Sequence, residues 1–319
     1  MKNNLIPYFI PVNKPVGLGS TEVVRYFKSH LPKPIDKIGH IGTLDPFADG
    51  LLILGINGAQ KTNEIIHEDF SKTYLARGVF GKKMSTGDHT GEVEVEDDLA
   101  GFDFSWDKNV LENKFEQLFV GSYLQKPHKV SAIKVNGQRL YDLHRKGIEV
   151  EIQPVERRIY SLQIVELNFP EILFRVEVSS GTYVRVLFED MANAIGLHGY
   201  LATLTREKIG NFELGSAILQ ENWPAKGTDL PSHFKVSMDQ VLTYPVIVLG
   251  EKMAKMIQSG VRLRNEQVFS NDRQYLDSSN KIKSEFVKKK FWSKNESGEL
   301  IGLFECEEEL IRIVFNFRN

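Results

Sequence analysis

Cys306 is the only cysteine in the 319 residues. No intrachain disulfide and no cysteine-based metal cage can therefore form, and its expected place is a small apolar core position. The eight histidines show no H-E-x-x-H or comparable ligand spacing, so no protein metal site is expected. No stretch approaches the roughly 18 consecutive apolar residues of a membrane-spanning helix. The opening Met1 to Pro7 lacks the apolar h-region of a secretory signal, so a cytoplasmic chain off the membrane is expected. Excess charge of one sign is missing too. Forty Lys and Arg stand against 42 Asp and Glu, giving a net charge of −2 and a pI near 6.5. Domains that coat nucleic acid nonspecifically usually sit above about pI 9, so any RNA site here must be a local patch. Internal repeats and low-complexity tracts are also absent.

What remains is an ordinary globular composition, 41% hydrophobic and 26% charged, long enough for two domains. The most informative stretch is Gly39-His40-Ile41-Gly42-Thr43-Leu44-Asp45-Pro46-Phe47-Ala48-Asp49-Gly50, followed by the apolar run Leu51 to Leu54. Pro46 pushes Asp45 out of the α region, and the bracketing glycines let a backbone or a ligand come close. The carboxylate is thus presented on a loop. Alone, the segment would read more readily as an Asp-Pro turn feeding a strand. Two apparent nucleotide loops fail on inspection. Gly17-Leu18-Gly19 has Glu22 where a dinucleotide loop needs glycine, and Gly58 to Thr62 has the wrong spacing for a phosphate loop.

The Asp45 stretch does not stand alone. It resembles the G-H-x-G-[TA]-L-D-P-x-A-[TS]-G motif of the TruB-type tRNA pseudouridine synthases. Asn13 to Gly17 with Ser20 resembles that family's K-P-x-G-x-[ST]-S element, Lys72-Thr73-Tyr74 its K-x-Y motif, and Thr86 to Gly91 its T-x-D-x-x-G motif. Ser131 to Tyr141 is similar to S-A-x-K-x-x-G-x-x-x-Y, with Arg145 and Gly147 beyond it. Gly181-Thr182-Tyr183-Val184-Arg185 matches G-T-Y-[IV]-R, and Leu201 to Arg206 resembles the leucine- and arginine-bearing segment that follows.

The resemblance implies an isomerase that turns uridine into pseudouridine at position 55 in the T-loop (TψC arm) of tRNA. The reaction breaks the N1–C1′ bond, rotates the base and rejoins it through C5, so it needs no cofactor. It does need a carboxylate at C1′, an extruded base and a pocket for the detached uracil. By resemblance Asp45 is the catalytic nucleophile. Arg185 pairs with it and keeps it ionised and aimed, since an adjacent guanidinium favours the carboxylate. Tyr74 stacks on the flipped base, and its hydroxyl helps remove the C5 proton. Leu204 walls the pocket, and His40 assists flipping. Asp88 contacts substrate or braces Tyr74, Lys72 supports the site, and Lys14, Lys134 and Tyr141 contact RNA backbone or order the floor. Asp49 departs from the family's usual threonine or serine. A second acid at that position would raise the Asp45 pKa if the two carboxylates came within about 4–6 Å.

The implied architecture is α+β: a mixed, largely antiparallel central sheet flanked by helices over residues 1–245, then a small β-rich, PUA-like RNA-binding domain over 246–319. The residues themselves give part of this. Ser20 and Thr21 are candidate caps for a helix through Val23 and Phe27. Residues 51–56, Thr73–Phe80 and the alternating Phe174, Val176 and Val178 read as strands. Val184, Leu187, Phe188, Met191 and Ile195 form the stripe of an amphipathic helix ending before Gly196. Lys126 to Lys146, with six cations against the single acid Asp142, is the best candidate for gripping phosphates. A monomer acting on tRNA without guide RNA is expected. A guide-dependent relative, a non-catalytic tRNA-binding protein and a two-carboxylate hydrolase are the alternatives.

Overall fold

The computed structural model describes residues 6–35, 37–126 and 153–317, together with the backbone of 134–135 and 138–139. In chain order the first strands are β1 (Tyr8–Lys14), β2 (Ile38–Ile41), β3 (Asp49–Ile56) and β4 (Lys72–Phe80). A side hairpin, β5 (Lys82–Met84) and β6 (Val93–Glu96), precedes β7 (Gly121–Gln125) and the short pair β8 (Lys134–Val135) and β9 (Gln138–Arg139). The long strands β10 (Val155–Asn168), β11 (Glu171–Val178) and β12 (Gly199–Ile209) are followed by β13 (Phe212–Glu213) and β14 (Val236–Ser237). Ten of these form one sheet in the order β14-β1-β3-β12-β4-β11-β10-β7, with β2 on β3 and β13 on β12. Its ladders are antiparallel except β3–β12, which runs parallel through Asp49–Thr205 and Gly50–Arg206. That junction lies directly behind the Asp45 loop.

Four helices matter here: α1 (Ser20–His30), α2 (Asn63–Asp69), α3 (Lys108–Phe119) and α4 (Val184–Asn193). Strand β4 alternates strictly between buried and half-buried residues, so Lys72, Tyr74, Ala76 and Phe80 share one face. Helix α4 packs on that face through Phe188, whose ring lies where a Cβ on Gly78 would be, 2.1 Å away. A side chain at position 78 would lift the helix from the sheet, and Arg185 with it. Phe80 and Phe174 close around the same ring, with centroids 5.2 and 5.6 Å from it.

The C-terminal part is a four-stranded sheet in the order β15 (Val246–Leu249), β16 (Lys290–Asn295), β17 (Leu300–Cys306), β18 (Ile311–Asn316). Its buried side chains divide into two groups. Phe291, Phe304 and Cys306 face its own core, whereas Trp292, Leu303 and Phe315 join a cluster with Phe9, Ile53, Ile66 and Leu242 of the larger part. The Trp292 indole also donates to the Leu242 carbonyl at 2.6 Å. Cys306 is fully buried, and burial pushes its thiol up to about 12. No helix among the described residues is long and apolar enough to cross a membrane.

One local expectation is corrected. Gly19, not Ser20 or Thr21, caps α1, and its N–H donates to Glu22 Oε2 at 2.6 Å. The Ser20 hydroxyl is engaged elsewhere, on the loop that carries Asp45.

Candidate active site

Asp45 sits in the loop between β2 and β3, at the start of a tight turn in which the Ala48 N–H donates to the Asp45 carbonyl at 3.1 Å. Long-range contacts hold this loop. Ser20 Oγ donates to the Leu44 carbonyl at 3.0 Å and accepts from the Leu44 N–H at 2.9 Å. The Gly17 N–H donates to the Pro46 carbonyl at 2.7 Å. From the opposite side the fully buried Arg206 of β12 donates to the carbonyls of Gly42 (2.9 Å), Thr43 (3.2 Å) and Leu51 (2.8 Å). Gly50 adopts a φ of +102°, and a Cβ there would lie 2.5 Å from the Arg206 carbonyl. Only glycine lets β3 and β12 meet at this point.

The Asp45 carboxylate is 39% exposed and pairs with Arg185 Nη2 at 3.0 Å. Arg185 itself is buried in the first turn of α4. Its Nη1 donates to the Thr86 carbonyl at 2.6 Å and approaches Asp88 Oδ2 at 3.3 Å. Asp88 is 3% exposed and accepts from the Thr90 N–H and hydroxyl and from the Thr86 hydroxyl. An acid-base-acid row results, in which one guanidinium bridges an exposed and a buried carboxylate. Such a row fixes the exposed carboxylate in place, because the bridging fork is itself held at its far end.

These residues open onto a cleft of about 460 Å³. Tyr74, 7% exposed, and Leu204, 5% exposed, form its apolar wall with Val184, and His40 and Lys72 line it as well. The structure thus brings together Asp45, Arg185, Tyr74, Leu204, His40 and Lys72. It separates others. Asp88 is 3% exposed, faces Arg185 and does not line the cleft. Lys14 is fully buried, does not line the cleft, and donates to the carbonyls of Pro15 (2.9 Å) and Leu18 (2.7 Å). Burial lowers its pKa to about 8, against the pull of Asp49 and Asp45. Asp49 accepts a hydrogen bond from Thr205 at 2.6 Å. Tyr141, the side chain of Lys134 and most of the basic stretch from Lys126 to Lys146 lie outside the described residues.

Sequence reasoning assigned no role to Arg206 or Gln125. Gln125 is 1% exposed and clamps the Tyr183 backbone from both sides, accepting from its N–H at 2.8 Å and donating to its carbonyl at 3.0 Å. It thereby sets the strand end from which Arg185 departs. Neither residue carries a local signal, since each acts across more than 50 positions of sequence.

Residues 29–184 match the TruB family pseudouridylate synthase N-terminal domain. Over 309 residues the chain is 32% identical to tRNA pseudouridine synthase B of Clostridium tetani, covering 96% of this chain and 97% of that one. The chain belongs to the TruB family. Its similarity to tRNA pseudouridine synthase B of Psychrobacter arcticus is 33% over 285 residues, covering 85% of this chain and 73% of the relative. Among solved structures, a chain of a Cbf5-Nop10-Gar1 complex superposes with a TM-score of 0.65 at 16% identity, covering 100% of this chain and 93% of that one. That likeness establishes the pseudouridine synthase fold with a small C-terminal β-sheet, as the motif resemblance implied.

Proposed function

We propose that this TruB-family chain is a tRNA pseudouridine synthase that isomerises the T-loop uridine at position 55, with Asp45 as the nucleophile. The observation that carries this reading is the carboxylate of Asp45, exposed at the mouth of an apolar cleft and held at 3.0 Å by a buried arginine that is itself anchored. The target uridine leaves its stack and enters between Tyr74 and Leu204. Stacking on the tyrosine ring, worth about 1–3 kcal/mol, offsets the unstacking cost. Asp45 acts at C1′ as the N1–C1′ bond breaks, and Arg185, paired with it at 3.0 Å, keeps the carboxylate oriented. The detached uracil turns within the cleft and bonds to C1′ through C5. The C5 proton is then lost, with Tyr74 assisting, and N1 gains one from solvent. Atoms and charge balance without a cofactor.

The catalytic unit spans 1–245 and the PUA-like RNA-binding unit 246–319. The enzyme acts as a cytoplasmic monomer and needs no guide RNA. The deciding experiment measures pseudouridine at the T-loop uridine of an unmodified tRNA transcript, with purified protein and no added cofactor, metal or guide. The wild type is expected to form product. Asp45→Asn should form none while binding tRNA within about threefold of wild type. Turnover by Asp45→Asn would overturn the assignment of the nucleophile. Tight binding without product from the wild type would move the reading to a guide-dependent or purely tRNA-binding protein.

A further inference from the structure

The cleft has a second charged region that the chemistry at Asp45 does not use. Lys72 is 6% exposed and reaches the cleft from the same face of β4 as Tyr74. Its ammonium donates to Ser180 Oγ at 2.5 Å. Arg206 lies beside it. A Cβ built on Gly42 would be 3.5 Å from Lys72 Cε and 3.6 Å from Arg206 Nη1, so the two cations flank the same α-carbon. Among the described residues neither has a carboxylate partner: Lys72 bonds a hydroxyl, and Arg206 bonds three carbonyls. His40 stands on the same wall, its buried Nδ1 without a partner among the described residues.

A buried cation is costly unless a counter-charge reaches it. At Lys14 the chain supplies one, since Asp49 and Asp45 are near enough to favour its charged form. At Lys72 the described residues supply none. Burial and the neighbouring Arg206 depress that amine to about 7. The missing anion must come from outside, and every nucleotide that enters the cleft brings a phosphodiester.

Resting on the pseudouridine synthase reading, we propose that Lys72, with Arg206 behind it, is a subsite for the phosphodiester adjacent to the flipped uridine. The phosphate oxygen takes the place beside the ammonium that no carboxylate among the described residues fills. Sugar and phosphate are thereby held at opposite ends of the cleft, C1′ at Asp45 and the phosphate at Lys72.

The linkage has a definite sign. In the free protein the amine is half protonated near pH 7, and a bound phosphate favours its charged form. Affinity for RNA is therefore full below that pH and falls as pH climbs above it. Other groups facing this end are Arg206 from β12, His40 from β2, His67 from α2 and Tyr74 from β4, with Asp45 and Arg185 across the cleft. Burial and Arg206 lower the pKa of His40, and that group is present in wild type and variant alike. Lys14, near 8, and Glu189, raised to about 7 by burial, titrate alike in wild type and variant, so the difference between the two profiles isolates Lys72.

The test measures binding of an unmodified tRNA transcript and single-turnover pseudouridine formation from pH 6.5 to 9, for wild type and Lys72→Met. Wild-type product in the same assay secures the functional reading separately. The expected result is an affinity about tenfold weaker for the variant at pH 6.5, a difference that closes toward pH 9, and a salt slope shallower by about one phosphate. Lys72→Arg, which keeps a charge at every pH, should hold its affinity across the range. Equal affinities of wild type and Lys72→Met at all pH values would overturn the subsite. Unchanged affinity with a collapsed single-turnover rate would overturn it in favour of an amine acting on the reacting base.

Discussion

The two ends of the cleft are wired in opposite ways. At one end Asp45, Arg185 and Asp88 form a compensated row, every charge facing its opposite within 3.3 Å. At the other, Lys72 and Arg206 stand side by side with carbonyls and a hydroxyl for company. Compensation makes a group hold still, because each member is penalised for moving away from its partners. An uncompensated buried charge is instead a demand on the ligand. In the proposed reaction the first arrangement aims one carboxylate at a sugar, and the second, as the proposed subsite, draws in a polyanion.

The contrast can be broken from either side. The largest effect after loss of Asp45 itself is expected from Arg185→Lys. The lysine keeps the charge but loses the fork that bridges two carboxylates. Single-turnover rates should fall by about 10²–10³-fold, in the range seen when one charge-stabilising donor is removed, with tRNA affinity little changed. Asp88→Asn leaves the fork in place and removes only its far anchor, so a smaller loss of about 10–100-fold is expected. Equal effects of the two would mean that Asp88 does more than hold Arg185.

The basic end is disturbed by Gly50→Ala, which drives a methyl into the Arg206 backbone at a φ of +102°. Strain of this kind costs about 1–3 kcal/mol, and a melting-temperature drop of several degrees should be seen by calorimetry. RNA binding should weaken in parallel, because Arg206 and the Gly42 carbonyl shift together. The smallest effect should come from Lys294→Met. It removes a quarter-exposed pair with Asp239, 2.7 Å long, far from both ends of the cleft. A stability loss of about 0.5 kcal/mol or less by denaturant titration, with activity intact, is expected.

Much of this was legible before any coordinates. The period-2 runs at 73–80 and 174–178 and the stripe beginning at Val184 became β4, β11 and α4, because each buries one face and its pattern is local. Pro46 and the glycines around Asp45 announced a presented carboxylate for the same reason. The cap of α1 was misread by one residue, since Ser20 has a distant and better use for its hydroxyl. The long strand β12 was not foreseen. Its apolar pattern is broken by three consecutive charged residues whose partners are distant or across a turn: Arg206 on the carbonyls of Gly42, Thr43 and Leu51, Glu207 on Arg175 of β11, and Lys208 on Glu213 of β13. A boundary at 245 is expected from the sequence, and Trp292 and Phe315 beyond it share a core with Phe9.

By itself, then, the sequence determined that a carboxylate would stand on a constrained loop, that an arginine would begin an amphipathic helix after a strand, and that no metal or disulfide built on cysteine would be involved. These are matters of residue type and near-neighbour geometry. Only the tertiary structure decided that Arg185 bridges Asp45 to Asp88, that Arg206 pins the carbonyls of Gly42 and Thr43, and that Lys14 finds carboxylates nearby while Lys72 finds none among the described residues. Whether a buried charge is compensated depends on which distant strands the fold brings to it, and spacing along the chain carries no record of that distance.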